Sequence, residues 1–118
     1  MKQQTWPHRL IVTWLAAGCT VYCGASRAQS DTGVPAEGRA KFVQCASCHG
    51  ADGRSTVMPQ YPKIAGQSAA YVVNALKAYR DGRRQGTFAA LMAEVAKPLS
   101  DVDIANLAAY IESLEAPR

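Results

Sequence analysis

Two thiols three residues apart, with an imidazole directly after them, stand at Cys45-Ala46-Ser47-Cys48-His49. On a helical turn this spacing turns both sulfurs to one side and carries the histidine beneath them. Three chemistries use such a pattern. One is a zinc site, one is a redox-active dithiol, and one is covalent haem attachment, in which the thiols add across two vinyl groups and the imidazole ligates the iron. A plain disulfide is a further use of the two thiols, and it would leave His49 without a role.

The N-terminal segment bears on this choice. Met1 to Arg9 carries Lys2 and Arg9 and no acid, Leu10 to Ala17 is nearly all apolar, and Ser26-Arg27-Ala28 places small residues around a cleavable bond. That is the order of a secretory signal peptide spanning residues 1–28, cut after Ala28. A membrane anchor fits less well, because Thr13, Gly18, Thr20, Tyr22 and Gly24 interrupt the run to Ala25, which falls short of the roughly 20 apolar residues a span requires. Leu15-Ala16-Ala17-Gly18-Cys19 also resembles the lipobox of bacterial lipoproteins, with Ala16 where Leu is usual and Cys19 as the residue acylated.

Cleavage removes Lys2, Arg9 and Arg27, leaving ten basic side chains against nine acidic ones, so the net charge falls from +4 to +1. A near-neutral domain gives no support for nucleic-acid binding. Cys19, Cys23 and His8 leave with the same segment, so Cys45, Cys48 and His49 are the whole Cys and His inventory of the mature chain. Structural zinc wants four such ligands. A thioredoxin-like dithiol wants a βαβ frame, and no run of alternating β-branched residues suggests one.

The remainder reads as helices. Gln29 to Pro35 is a polar, turn-rich lead-in, and the domain occupies residues 36–118. Pro35 suits a first helical turn, followed by Ala40, Phe42, Val43 and Ala46 as apolar contacts. Gly50, Gly53, Pro59 and Pro62 predict a long loop as far as Gly66. From Gln67 to Arg80, Tyr71, Val72, Ala75, Leu76 and Tyr79 form one helical stripe that Gly82 can end. Asp81 to Gly86 reads as a solvated turn, and Phe88 to Ala96 as a short apolar-rich stretch terminated by Pro98. Ser100 and Asp103 form a capping-box-like start, after which Ile104, Leu107, Ala108, Ile111 and Leu114 share a face. The fold class is all-α, with three to five helices. About 90 residues of short amphipathic helix bury a limited core, and a large apolar macrocycle would supply the missing buried surface.

With His49 on one side of an iron, the other axial ligand decides the function: a thioether raises the potential and fills the site, whereas an open position admits ligands or peroxide. The mature chain offers Met58, in the loop VMPQYP, and Met92, far downstream between two helices. Either methionine is equally suited to filling a gap in a core.

The segments CASCHGADG, YPKIAGQ followed by Tyr71, and Met92 seven residues before LSDVDIANLAAYI resemble class I c-type cytochromes. The closest likeness is to single domains of the bacterial cytochrome c4 and c553 type, over most of residues 36–115. The resemblance implies a small cytochrome c fold wrapped around one covalently bound haem c. Cys45 and Cys48 would form the thioethers, and His49 and Met92 would be the axial ligands. The Pro62 carbonyl would be the acceptor for the His49 N–H. It also implies that Gly38 and Phe42 on the first helix pack against Leu107 and Tyr110 on the last. Tyr61, Lys63, Gln67, Tyr71 and Arg54 are possible donors to the haem propionates.

The expected function is that of a periplasmic one-electron carrier, not an enzyme, acting between a donor and an acceptor redox protein. It would be soluble unless lipidated at Cys19, and a monomer or a subunit of a redox complex. Two alternatives are a small haem peroxidase or ligand sensor with a labile sixth ligand, and a dedicated cytochrome subunit of a periplasmic dehydrogenase or oxidase. Loss of His8 leaves no distal histidine for the first of these.

Overall fold

A proline at the first helical position has its φ already set and lacks only an N–H that would be unsatisfied there. Pro35 opens α1 (Pro35–His49) in this way. The computed structural model describes residues 32–114. The expected signal segment 1–28, with Cys19, and the first part of the lead-in lie outside the described residues. Gly50 ends α1 at φ 83°, a left-handed conformation that other residues rarely adopt.

Three further helices follow. Ser68 caps α2 (Ala69–Arg80) by accepting from the Tyr71 N–H, so the helix starts two residues later than the periodicity from Gln67 predicts. The short stretch after the Asp81–Gly86 turn forms α3 (Ala89–Ala96). Met92 therefore sits on a helix of its own, not between two. In α4 (Asp101–Ser113) the capping box is complete: the Ser100 side chain accepts from the Asp103 N–H, and the Asp103 carboxylate accepts from the Ser100 N–H. Among the described residues there is no strand, and the architecture is all-α.

α1 crosses α4, α2 packs on α4, and α3 packs chiefly on α2. The crossing is close because Gly38 has no side chain. A Cβ at this position would run into the Asn106 carbonyl and come within 2.8 Å of Tyr110 Cβ. Next to that contact the Phe42 and Tyr110 rings meet edge to face, 5.1 Å apart at 67°, and Leu107 is fully enclosed. Asn106 Oδ1 also accepts from the Val34 N–H at 2.7 Å, tying the entry of α1 to the middle of α4.

The packed core is thin. Ile104 and Leu107 are the largest fully buried side chains among the described residues. At the far end Arg80 reaches Asp101 at 2.8 Å and the Leu99 carbonyl at 3.0 Å. This joins the end of α2 to the start of α4; pairs this exposed orient more than they stabilise. Gly38→Ala should lower the unfolding free energy by about 1–3 kcal/mol, the usual range for forcing atoms into a filled contact. Urea denaturation followed by circular dichroism measures this, and an unchanged midpoint would contradict the close crossing.

Candidate functional site

The apolar faces of α2 and α3 do not close on α1. Between them lies a cleft of about 240 Å³, open along one side, with Ile111 of α4 among its lining residues. The end of α1 contributes Cys45, Cys48 and His49, the loop after it contributes Tyr61 to Ile64, and α3 contributes Leu91, Met92 and Val95. The expected residues Cys45, Cys48, His49, Pro62 and Met92 therefore share one cavity. Met58 is 38% exposed and is not among the residues lining it.

His49 is buried, and its Nδ1 lies 2.8 Å from the Pro62 carbonyl oxygen. A carbonyl only accepts, so Nδ1 carries a proton, and in the neutral ring the lone pair is on Nε2. The loop that presents Pro62 is built on local hydrogen bonds. Asp52 accepts from the backbone N–H groups of Arg54 and Ser55 and from the Ser55 hydroxyl. These bonds hold its carboxyl down at about 2. The Gly53 carbonyl accepts from Ile64 and Ala65, and Gly66 N–H donates to the Ile111 carbonyl of α4.

Both thiols are free and half-buried. Burial pushes the Cys45 thiol up to about 11, with the neighbouring Cys48 adding to the effect. Reactive dithiols depend on a lowered thiol, the opposite of the direction at Cys45. Among the described residues no group of three or more His, Cys, Asp and Glu side chains is placed to hold a metal ion, and zinc lacks its donor set.

Among the described residues the cationic side chains lining the cleft are Lys63 and Arg84, and the lining includes no carboxylate. Arg84 lies in the turn read from sequence as solvated. Its Nη2 donates to the Tyr71 hydroxyl at 3.1 Å, and its guanidinium lies over the Tyr79 ring at 4.8 Å and the Tyr71 ring at 5.8 Å. The bond to Tyr71 holds its pKa above the usual arginine value. Neighbouring Arg80 and Arg83 are paired with aspartates, and Arg84 is in none of the described ion pairs. Of the residues expected to face acidic groups, Tyr61, Lys63, Gln67 and Tyr71 line the cleft and Arg54 does not. The only sequence signal for Arg84 is an arginine five residues after Tyr79, the second of two tyrosines spaced i, i+8 on one face.

This donor set fits a haem. It offers two thiols for two vinyl groups, an imidazole with a free lone pair, a thioether, apolar walls, and two cations for two propionates.

The family model described as cytochrome c matches residues 35–115. Over 83 residues the chain is 51% identical to cytochrome c-554(548) of Halomonas halodenitrificans, covering 70% of this chain and 99% of that one. A "thiosulfate dehydrogenase electron acceptor" of Thiomonas intermedia is 37% identical over 73 residues, 62% of this chain and 32% of that protein. Among solved structures, reduced recombinant cytochrome c4 from Pseudomonas stutzeri superposes with a TM-score of 0.61 at 31% identity. That match covers 71% of this chain and 52% of the other. The chain thus spans nearly all of one relative, about half of the c4 structure and a third of the thiosulfate dehydrogenase acceptor.

Cys48→Ala tests attachment. It should lower the yield of haem-loaded protein and shift the alkaline pyridine haemochrome spectrum toward that of a haem with one free vinyl group. Normal yield with an unshifted spectrum would count against a thioether at Cys48.

Proposed function

Because the chain belongs to the cytochrome c family, we propose that it is an exported carrier of single electrons with one haem c, ligated by His49 and Met92. When bound, the haem supplies the redox chemistry, an iron that gains and loses one electron. Every other part of the task falls to the chain's own groups. Cys45 and Cys48 retain the cofactor covalently. The Pro62 carbonyl holds the His49 ring in one tautomer and orientation, which leaves Nε2 as the metal-binding nitrogen. Met92 supplies a neutral thioether that raises the reduction potential and closes the sixth position. Arg84, held over Tyr79 and bonded to Tyr71, and Lys63 offset propionate charge at the cleft. The cleft side chains bind, orient and exclude water, and none acts on a substrate.

The observation that carries this reading is that His49 and Met92, 43 residues apart in sequence, line the same cleft as both thiols. Met92→Ala should lower the potential, abolish the weak far-red band of thioether-ligated ferric haem, and admit carbon monoxide or cyanide. Met58→Ala should do none of these. A Met92→Ala protein that kept the parent potential and stayed closed to ligands would refute the assignment.

Export rests on the charged, apolar and small-residue order of residues 1–28, and places the carrier in the periplasm. Mass spectrometry of the mature protein should find Gln29 at its N-terminus, whereas a diacylated Cys19 would make it a membrane-tethered lipoprotein. No described helix is long and apolar enough to cross a membrane.

A second reading, a dedicated acceptor for one dehydrogenase, is favoured by the likeness to the thiosulfate dehydrogenase electron acceptor. Stoichiometric co-purification with a dehydrogenase from the native source would support it over a freely diffusing carrier.

A further inference from the structure

Tyr61 stands between two other rings. On one side the His49 imidazole lies 6.4 Å away, tilted by 43°. On the other the Phe88 ring meets it edge to face, 5.1 Å between centroids at 80°. Tyr61 directly precedes Pro62, whose carbonyl holds the His49 Nδ1–H. Phe88 caps α3, and its carbonyl accepts from the Met92 N–H at 3.0 Å, so one turn of helix joins Phe88 to Met92. A single aromatic contact thus connects the backbone that orients His49 to the backbone that carries Met92.

α3 is held by α2 and by Met92, which packs against the core, and its N-cap residue adds the contact to Tyr61. With 8 residues it is too short to be stable by itself, and it packs chiefly on α2. Its last residue, Ala96, is fully buried in the core. Ahead of it Gly86 has φ 135° and nothing within 4 Å of where a side chain would stand. Ala96 therefore pins one end of the helix and Phe88 the other, with Met92 midway between them.

We propose that the Tyr61–Phe88 contact is a clasp that positions α3 and so keeps Met92 on the iron. The proposal rests on the reading of Met92 as the sixth ligand. A clasp of this kind sets the fraction of molecules in which Met92 has moved off, and an external ligand binds in proportion to that fraction. An edge-to-face pair shifts such an equilibrium by about 2- to 10-fold.

The test is the affinity of the ferric holoprotein for imidazole, read from its visible spectrum. Phe88→Ala and Tyr61→Leu should each raise that affinity by about 2- to 10-fold, and the double variant should add little to either single change, because both break the same contact. If Phe88→Ala does not accumulate as holoprotein, Phe88→Leu removes the edge-to-face geometry while keeping bulk. Val102→Ala is the control. Val102 is 43% exposed on α4 and does not line the cleft, so the change should leave imidazole affinity unchanged. The clasp is refuted if the Phe88 variants bind imidazole as the parent does, or if Val102→Ala raises the affinity as much. Met92→Ala separates the two readings: if it too binds imidazole like the parent, the ligand assignment fails and the clasp falls with it.

Discussion

The approach of α1 to α4 at Gly38 decides where the chemistry sits. The two backbones come close enough that any side chain at this position would meet the Asn106 carbonyl, so the crossing point has no freedom to slide. Two turns further along α1 the same rigid rod delivers Cys45, Cys48 and His49. The Phe42–Tyr110 contact and the enclosed Leu107 stop α1 from rolling about its own axis. The direction in which the thiols and the imidazole point is thus set by contacts made earlier along the same helix.

Direction alone does not fix the imidazole ring, which can rotate about its own bonds. The Pro62 carbonyl removes that freedom, and the loop carrying it is itself anchored to α4 by the Gly66 to Ile111 hydrogen bond. α4 therefore braces the histidine twice, once through the helix that bears it and once through the loop that bonds it. The opposite wall has no such double support. α3 packs chiefly on α2, and Met92 is positioned by packing against the core, with no counterpart among the described residues to the Pro62 hydrogen bond that orients His49.

What could be read from the chain follows from how local each signal is. The C-x-x-C-H run, the Ser100–Asp103 box and the apolar stripe of α2 depend on residues within a turn or two of one another, and each appears where its spacing predicts. Gly38, Phe42, Leu107 and Tyr110 came from resemblance, since a helix face does not state which other face it will meet. Arg84 and Phe88 were not legible as site residues. Arg84 lies inside a glycine-punctuated turn and Phe88 just after it, and their roles depend on Tyr71, Tyr79 and Tyr61, which the fold brings to them. Met92 was legible as a ligand only by resemblance, and its place on a helix was missed because eight apolar-rich residues carry no clear period.

The two edge-to-face contacts, Phe42–Tyr110 and Tyr61–Phe88, have the same centroid separation but sit at different levels of the structure. The first lies inside the α1–α4 frame, beside the buried Phe42 and Leu107 side chains. The second joins a loop to the cap of a short helix at the edge of the cleft. Local opening free energies follow such differences in surroundings. The frame that fixes the haem side of His49 can therefore stay intact while the Met92 side loosens, and the midpoint for losing Met ligation should lie below the midpoint for global unfolding.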